Sequence, residues 1–540
     1  MTKPWLKNYP NNVAHNIDIS SHDSMLDIFN QTIIKYQNKT AFSNFGVELS
    51  FNDVDRLSRD FAAYLQSQLQ IKKGDRVALM CPNTLCFPVA MWGIIRVGGV
   101  QVNVNPLYTA RELQHQLNDA QVETIVIFSP STNVLADILE QTTIKNVITI
   151  DLDDLVNKGL PSAAIDKRIE NSTPFVDALA QGYILSLKEP ILSADDLLFL
   201  QYTGGTTGLS KGAMLSHGNI IANILQYQEF AKNNIEHGKE VVITAIPMYH
   251  IFALTANTLC YFYFGAKNIL VTNPRDMPAF VELWQTNKVT FFTGVNTLFN
   301  GLLHTPGFAE VDFSALKLTI GGGAAVQQAV ALKWQQVTGN PLLEGYGLSE
   351  TSPMLTLNFG IDGGYVFGIG IPVPSTDISI RDESGAVVAQ GESGELCAKG
   401  PQVMPGYWHN LQATRETMTA DGYFKTGDVA MLDEQGFFHI VDRKKDMIIV
   451  SGFNVYPNEI ESEIAHMPEI LESACIGIAD DKTGEAVKVF VVKKDVNVTE
   501  QEVINFCRQS LTAYKVPKSV CFIEQIPKSS VGKILRRELR

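Results

Sequence analysis

Short β-branched runs alternate with segments of helical periodicity along most of the chain, and this alternation limits the possible folds more than any other feature. Residues 24–36 and 53–69 carry apolar side chains at helical spacing. Strand-like runs lie between such helices, at residues 77–80, 124–128, 147–150, 241–246 and 289–292. Alternating strands and helices form βα units, which build largely parallel sheets with helices on both faces. The sequence therefore predicts an α/β fold.

The pattern changes in the last third of the chain. After about residue 372, short strands with turn signals predict a small antiparallel β-barrel or sheet, and beyond DRKKD a helix, two strands and a second helix form a smaller unit. A chain of 540 residues also exceeds the ~250 to 300 residues at which single cores stop growing. We expect a large N-terminal domain, residues 1–442, made of βα-layered parallel sheets plus the small β-barrel. A small, mobile α+β C-terminal domain, residues 443–540, follows it.

Charge and cysteine content exclude several classes of protein. A net charge of −14 argues against general nucleic-acid binding, which needs Lys and Arg to neutralise phosphates. From residue 443 onward, however, 15 Lys and Arg face 14 Asp and Glu, so this nearly neutral part can bring cations to an acidic body. Seven scattered cysteines without CxxC spacing indicate neither a disulfide framework nor a zinc site. With no signal pattern at the start and no apolar run of ~20 residues, we expect a cytoplasmic protein that does not span a membrane.

The stretch LQYTGGTTGLSKGAMLSHGN, residues 200–219, predicts an anion-binding loop. A buried strand is expected at 197–202 and a helix capped by Ser216, which places the glycines between a strand and a helix start. The glycines allow the backbone to approach phosphate oxygens, while three threonines and Lys211 add hydroxyl donors and a charge. The order differs from a Walker A loop, because Ser210 stands where the second glycine is needed. By itself the stretch also fits a flexible surface loop.

Further motifs follow in an order that resembles a known family. They are IPMYHIFAL (246–254), TGVNTLFNGLL (293–303), GGGAAV (321–326), EGYGLSET (344–351), KTGDVA (425–430), VDRKKDMIIVSGFNVYPNEIE (441–461) and PKSSVGKILRRELR (527–540). With the glycine loop, this series resembles the adenylate-forming enzymes, which include acyl-CoA synthetases, firefly luciferase and nonribosomal adenylation domains. NVNPLYTARELQHQLNDA (103–120) and TNPRDMPAF (272–280) make it most similar to the bacterial long-chain fatty-acid–CoA ligases. The resemblance implies a fatty acid, ATP and CoA as substrates, Mg²⁺ as cofactor, and an acyl-adenylate intermediate.

The resemblance also implies a role for each matching residue. Those expected at the ATP phosphates are Thr203, Gly204, Gly205, Thr206, Thr207, Gly208, Lys211 and Ser349. Those expected at AMP are Gly323, Gly345, Tyr346 against adenine, Gly347, and the pair Asp428 and Arg443 at the ribose hydroxyls. The expected catalytic residues are Lys533, His250 beside the reacting carboxylate, and Glu350 as the Mg²⁺ ligand. Lys445 matches the hinge of the C-terminal domain, and Gly452, Phe453 and Asn454 match the segment that approaches CoA.

Three departures from the family pattern stand out. Ser210 replaces a common proline, Ser349 replaces a commoner threonine, and DGYFKTGD differs from the usual DGWLHTGD of fatty-acid members. We expect hydroxyl for hydroxyl to preserve the role of Ser349. Ser210 is expected to make its loop more mobile.

The sequence leaves several functions open. An acyl-CoA synthetase, an adenylating enzyme that passes its acyl group to a carrier protein or oxidises it, and a catalytically silent binding protein would share these motifs. GLSKG also fits the hydrolase pattern GxSxG by its letters, although Ser210 lies eight residues past Tyr202 rather than at a sharp turn directly after the strand. Gly368–Gly370 lacks the third glycine of a dinucleotide site.

The sequence says less about the identity of the acyl group than about any other part of the expected reaction. Small and apolar residues could line an alkyl tunnel or form an ordinary core. They are Met248, Leu254, Val295, Leu298, Phe299 and residues 321–325. A long-chain substrate suggests peripheral contact with the inner face of the cytoplasmic membrane. The sequence leaves a homodimer open.

Overall fold

The computed structural model describes residues 3–203, 210–358, 367–529 and 532–540. Its strands, in chain order, are β1 (Thr40–Asn44), β2 (Val47–Ser50), β3 (Arg76–Met80), β4 (Val100–Asn103), β5 (Thr124–Phe128), β6 (Asn146–Ile150), β7 (Thr173–Pro174), β8 (Leu197–Thr203), β9 (Lys211–Ser216), β10 (Val241–Thr244), β11 (Lys267–Leu270), β12 (Phe291–Gly294), β13 (Leu318–Gly321), β14 (Leu342–Gly347), β15 (Met354–Leu357), β16 (Ile371–Pro372), β17 (Asp377–Arg381), β18 (Ser393–Lys399), β19 (Phe424–Leu432), β20 (Phe438–Arg443), β21 (Ile448–Val450), β22 (Phe453–Val455), β23 (Ile470–Asp480), β24 (Gly484–Lys493) and β25 (Ser519–Phe522).

The α-helices are α1 (Met25–Tyr36), α2 (Phe51–Ser67), α3 (Cys86–Arg96), α4 (Ala110–Asp119), α5 (Thr132–Ala136), α6 (Phe175–Tyr183), α7 (His217–Ala231), α8 (Cys260–Tyr263), α9 (Met277–Thr286), α10 (Asn296–Leu303), α11 (Gln328–Thr338), α12 (Leu411–Glu416), α13 (Pro457–Ile464) and α14 (Glu500–Ser510). A π-helix spans Phe252–Leu259. Short 3₁₀ turns occupy Pro4–Asn8, Ile19–Ser21, Ser129–Ser131, Leu139–Gln141, Ser349–Thr351, Ala513–Lys515 and Arg536–Glu538. Ser50, Thr109, Ser216 and Thr499 begin α2, α4, α7 and α14 with reciprocal capping bonds to the third helical residue.

Two large sheets confirm the predicted α/β class. One has seven strands in the order β7-β6-β5-β3-β4-β8-β9, and all neighbours are parallel except β8 and β9. The other has nine strands in the order β16-β15-β14-β13-β12-β10-β11-β1-β2, with a parallel centre and antiparallel edges. Parallel strands buried on both faces explain the continuous apolar runs in the sequence.

The core is layered, because alternate residues of each strand point to opposite faces. Val242 of β10 belongs to the central core, whereas Ile243 joins a second core with Trp284 and Trp334 on the outer face of the nine-stranded sheet. In β3, Val77 faces the same central core, and Ala78 faces a third one. The two sheets therefore share one central core, and each has a further core on its outer face.

The last third forms two smaller sheets, whose strands are antiparallel except for the parallel pair β24 and β25. β17-β18-β19-β20 make a four-stranded sheet where the small barrel was predicted, and within the described ranges no pairing of β17 with β20 closes it. β21 to β25 form a five-stranded sheet that packs with α13 and α14 around a core of its own. All seven cysteines are free. Among the described residues, no helix is long and apolar enough to cross a membrane.

Candidate active site

Most of the predicted site residues that the structure describes line one large cavity at the carboxyl ends of the parallel strands. The cavity has a volume of about 1440 Å³ and is lined by residues from the ends of β4, β8, β12, β13 and β14 together with the C-terminal segment. Loops that follow neighbouring parallel strands meet at this edge, which is where ligands of open α/β sheets bind. The parallel topology therefore places the site.

The described residues that line the cavity are unusually basic. Ten are Lys or Arg, namely Arg111, Lys211, Arg275, Arg443, Lys445, Lys528, Lys533, Arg536, Arg537 and Arg540. Only four are acidic, namely Glu112, Glu350, Asp446 and Glu538. In a chain with a net charge of −14, this local excess of cations favours a polyanionic ligand.

The helix capped by Ser216 is observed as predicted, but strand β9, which was not predicted, lies between the glycine loop and this helix. Thr203, at the end of β8, pairs with Lys211, at the start of β9, and both line the cavity. Helix α7 begins only at His217, after β9. Residues 211–216 pair with the sheet edge, so the dipole of α7 does not act at the loop. The other predicted phosphate contacts, Gly204, Gly205, Thr206, Thr207 and Gly208, lie outside the described residues.

Ser349 and Glu350 lie in a 3₁₀ turn directly after β14, and both line the cavity. The Glu350 side chain is buried, and its Oε1 accepts a hydrogen bond of 2.8 Å from the Tyr407 hydroxyl. A carboxylate has about four acceptor positions, so this bond leaves capacity for a further partner. The ring of Tyr407 also lies beneath Lys211, with Nζ 5.1 Å from the ring centroid.

Tyr346, Asp428 and Arg443 form a second connected group. The Tyr346 hydroxyl donates to Asp428 Oδ2 at 2.6 Å, and Arg443 Nε lies 3.4 Å from Asp428 Oδ1. Asp428 and Arg443 are direct partners across β19 and β20. Burial, and then the Asp428 charge, raises the pKa of Tyr346 well above its usual value, so the phenol stays a donor.

Glycines shape the same wall of the cavity. Gly323, Gly345 and Gly347 all line it, and Gly323 adopts a positive φ of 75°. At Gly347 a Cβ would lie 1.8 Å from the Pro353 carbonyl oxygen, so only glycine fits there. The wall offers backbone rather than side chains to a flat ligand.

Lys533 reaches the cavity from the end of the chain, on a turn closed by bonds between Ser529 and Lys533. The turn contacts the N-terminal part, since a Cβ on Gly532 would lie 2.8 Å from Thr297 Oγ1. Burial, and then the nearby Arg443, lowers the pKa of Lys533 to about 7. The same two causes lower the pKa of Lys445, another cavity residue, to about 8.

His250 lies on the cavity wall just before the π-helix. Burial, and then the charge of Lys533, lowers the pKa of His250 to about 4, so the ring is neutral at pH 7. The Phe252 backbone N–H lies 3.3 Å from His250 Nδ1 and donates to it. In the neutral ring the proton must therefore sit on Nε2, which makes that atom a donor.

An apolar part of the cavity lies between the sheet and the π-helix. It is lined by Tyr227, Phe252, Ala256, Ile320, Met354 and Leu357. Of the residues predicted for an alkyl tunnel, Gly322 and Gly323 line the cavity. Met248, Leu254, Leu298 and Phe299 belong to the hydrophobic cores instead, and Val295 also packs in a core. Alternation along an apolar run does not show which face borders a cavity.

The predicted CoA segment does not reach the cavity. Gly452 and Asn454 are exposed, and Phe453 is 55% exposed and stacks on Tyr514 with ring centroids 4.7 Å apart. Lys533 and this segment therefore do not face the site together. Tyr407 lines the cavity but was not predicted from the sequence. The motif GYW in PQVMPGYWHN, an aromatic pair after a glycine, was a signal for it.

The fold and this site define an enzyme that binds a nucleotide at the sheet edge. The chain belongs to the AMP-binding enzyme family: the model of the AMP-binding enzyme matches residues 29–408, and that of its C-terminal domain matches residues 459–533. Among curated proteins, it is 49% identical to the long-chain-fatty-acid–CoA ligase of Escherichia coli O6:H1, over 100% of this chain and 98% of that protein. The long-chain-fatty-acid–CoA ligase of Bacillus subtilis is 38% identical, over 99% and 97%.

Solved structures agree with the fold. ATP-bound MatB from Rhodopseudomonas palustris superposes with a TM-score of 0.83 at 30% identity, covering 96% of this chain and 98% of that one. The anthranilate CoA ligase AuaEII in complex with anthranoyl-AMP gives a TM-score of 0.86 at 23% identity, over 97% and 98%. The second comparison supports the fold alone.

Proposed function

We propose that the protein joins long-chain fatty acids to CoA at the expense of ATP, through an acyl-adenylate. The observation that carries this proposal is that Lys533, from the end of the chain, shares one cavity with Lys211, Glu350 and Arg443, and Arg443 pairs with Asp428. Two long-chain-fatty-acid–CoA ligases that resemble the chain over nearly its full length support the choice of substrate and acceptor.

In the first step, a fatty-acid carboxylate oxygen attacks the α-phosphorus of ATP, and the bond to pyrophosphate breaks. Two anions must meet, so the step needs positive charge at the point of attack and reactants held in line. The ammonium of Lys533 supplies that charge where it enters the cavity. The neutral His250 donates from Nε2 to the carboxylate and orients it.

The remaining contacts are proposed for residues that line the cavity or lie beside it. We assign Thr203, Lys211 and Ser349 to the phosphates, and Tyr346 with Gly323, Gly345 and Gly347 to the adenine. The carboxylate of Asp428 accepts from the ribose hydroxyls, and Arg443 holds it in place. The loop residues 204–208 complete the phosphate site in this proposal.

Glu350 is the residue that fits Mg²⁺. It is a buried carboxylate with unused acceptor positions, and it lies near Lys211 through their shared contact with Tyr407. Within the described ranges, no group of three or more His, Cys, Asp or Glu is arranged around a metal, which suits an ion held mainly by phosphate oxygens. When bound, Mg²⁺ neutralises phosphate charge; Glu350 positions it.

In the second step, the CoA thiol attacks the acyl carbonyl, loses its proton, and displaces AMP. Gly452, Phe453 and Asn454 lie outside the cavity, so we propose that residues 443–540 rotate about Lys445 against residues 1–442 to bring them in. That rotation withdraws Lys533, which the second step does not need. The two steps thus use two faces of the C-terminal domain.

The apolar pocket beside the π-helix is the site that we propose for the alkyl chain. Because such a substrate partitions into lipid, we also propose peripheral contact with the inner face of the cytoplasmic membrane. Flotation of the purified protein with anionic vesicles, with and without oleic acid, measures this contact. Protein that stays at the bottom of the gradient under both conditions would contradict it.

The proposed reaction is tested by mass spectrometry of products from purified protein, Mg-ATP and fatty acids of graded length, with and without CoA. We expect acyl-AMP without CoA, and acyl-CoA with AMP when CoA is added. Acyl-AMP that does not respond to CoA would point to a carrier protein or another acceptor. Absence of any adenylate would favour a silent binding protein.

A further inference from the structure

Tyr407 makes two different contacts in the cavity, and each involves a residue that we assign to the ATP phosphates. Its hydroxyl donates to Glu350 Oε1 at 2.8 Å, and Lys211 Nζ lies 5.1 Å from its ring centroid. Burial, and then the Glu350 charge, raises the pKa of Tyr407 far above its usual value, so the phenol remains a donor. Tyr407 is itself buried and lines the cavity.

The backbone around Tyr407 connects the same two places. Trp408 N–H donates to the Gly212 carbonyl at 2.8 Å, and Met214 N–H donates to the Gly406 carbonyl at 3.0 Å, so this segment pairs with β9 directly after the glycine loop. The Met404 N–H donates to the Glu350 carbonyl at 2.8 Å. Residues 404–408 therefore fasten the strand that carries Lys211 to the turn that carries Glu350.

We propose that Tyr407 is a positioning residue for adenylation, which holds the Glu350 carboxylate and the Lys211 ammonium in a fixed relation to each other. The inference rests on the proposed function, since it assumes that both groups meet the phosphates of ATP. The hydroxyl orients the carboxylate toward the metal, and the ring face holds the cation without neutralising it. A carboxylate directly paired with Lys211 would instead cancel the charge that each must present to the ligand.

The chain contains a matched control for this arrangement outside the cavity. The Tyr423 hydroxyl donates to Asp377 Oδ2 at 3.1 Å, and Arg381 lies over the Tyr423 ring at 4.7 Å. Tyr423 thus combines the same kinds of contact, phenol to carboxylate and cation over ring, but it does not line the cavity. Tyr423→Phe measures what the loss of such a hydroxyl does to the fold alone.

The experiment measures ATP–pyrophosphate exchange with a long-chain acid at varied Mg²⁺ and ATP, for the wild type, Tyr407→Phe, Tyr407→Leu and Tyr423→Phe. Hydrogen bonds to charged groups are strong enough that Tyr407→Phe should raise the Mg²⁺ concentration for half-maximal exchange about tenfold. The KM for the fatty acid should not change. Tyr407→Leu also removes the ring, and we expect a further rise of about three- to tenfold in the KM for ATP. Tyr423→Phe should behave as the wild type.

A double-variant comparison isolates the ring contact. In a Lys211→Met background, Tyr407→Leu should raise the KM for ATP no more than Tyr407→Phe does, because no cation is left to hold. If Tyr407→Leu still raised the KM for ATP more than Tyr407→Phe does in that background, the assignment would be overturned. A Tyr407→Phe protein with wild-type Mg²⁺ dependence would also overturn it, as would one whose thermal unfolding midpoint falls far more than that of Tyr423→Phe. A wild type without exchange would refute the proposed function itself.

Discussion

Lys533 shows how the surroundings of one residue can change its chemistry. An ordinary lysine has a pKa near 10.4, whereas burial and the neighbouring Arg443 and Lys445 lower the pKa of Lys533 to about 7. Asp428 acts in the opposite direction but does not compensate. Burial makes the charged ammonium of Lys533 costly, so an anionic nucleotide should both bind there and restore the proton of Lys533.

Replacement of Lys533 by alanine should separate the two half-reactions. We expect Lys533→Ala to lower the rate of acyl-AMP formation by about a hundredfold or more, as expected for a charge aimed at the transition state. Transfer to CoA from supplied acyl-AMP should stay within a few-fold of the wild type. The control is Lys494→Ala, an exposed cation of the C-terminal domain that does not line the cavity. Equal loss in both half-reactions would contradict the role of Lys533.

The low pKa of Lys533 also predicts unusual amine reactivity. Above pH 7 the ligand-free side chain is mostly neutral and nucleophilic, and below pH 7 it is mostly protonated. We expect an acylating reagent to label Lys533 faster than Lys528 at pH 8, with the preference lost at pH 6, because Lys528 pairs with Glu472 at 2.5 Å. Bound ATP should slow the labelling of Lys533. Peptide mass spectrometry measures both, and equal labelling at pH 8 would count against this electrostatic picture.

At the scale of secondary-structure elements, the π-helix is the unusual feature of the site. π-helical turns are rare and often lie at functional sites, and this one carries Phe252 and Ala256 to the cavity wall. A buried polar network holds it. Asn257 Oδ1 accepts from Thr293 at 2.7 Å, Asn257 Nδ2 donates to Thr244 at 3.1 Å, and the Asn257 carbonyl accepts from Asn268 at 3.0 Å.

Asn257→Ala should therefore destabilise the protein and disturb the acyl pocket. The change removes the acceptor of the Thr293 hydroxyl and the bond from Asn257 to Thr244 in the core, at a cost of about 2–4 kcal/mol in unfolding free energy. Denaturant unfolding measures this cost, and the KM for a long-chain acid should rise as well. Asn118→Ala, at an exposed asparagine of α4, is the control and should change neither. A loss of unfolding free energy no larger than that of Asn118→Ala would show that the network does not hold the helix.

At the scale of the whole molecule, the site depends on contact between the end of the chain and the N-terminal part. Gly532 adopts a positive φ of 77° and packs against the start of α10, at Val295 and Thr297. The cation-rich lining of the cavity comes from both parts, and Asp446 lies between Arg536 and Arg540 at 3.7 and 3.4 Å. Adenylation should therefore respond to any change that blocks this contact.

Gly532→Ala should impair adenylation selectively. The new Cβ strains the turn and meets Thr297 Oγ1 at 2.8 Å, so we expect acyl-AMP formation to fall by about tenfold, the equivalent of ~1.4 kcal/mol. Transfer from supplied acyl-AMP to CoA should be spared. Adding Thr297→Ala should restore part of the adenylation rate if the steric contact matters, and single-turnover kinetics of each half-reaction measure it. Full adenylation by Gly532→Ala would show that this docking is not needed.

The sequence by itself determined the α/β class, several of the strands and helices, and the candidate residues for nucleotide chemistry. These features are local, since periodicity, caps and motif spacing act over a few turns or strands. Ser50 and Ser216 illustrate this, because each caps its helix through the third helical residue.

Only the tertiary structure decided which side chains touch. The pairing of β8 with β9 placed an unpredicted strand between the glycine loop and the helix that begins after Ser216, since edge pairing depends on a partner outside the motif. Met248 and Leu298 pack in the hydrophobic cores, whereas Tyr227 and Ala256 line the cavity. An apolar residue type does not show whether its side chain borders a core or a cavity. Tyr407 gained its contacts with Glu350 and Lys211 from packing between segments far apart in the chain, and local sequence carries no signal for such contacts.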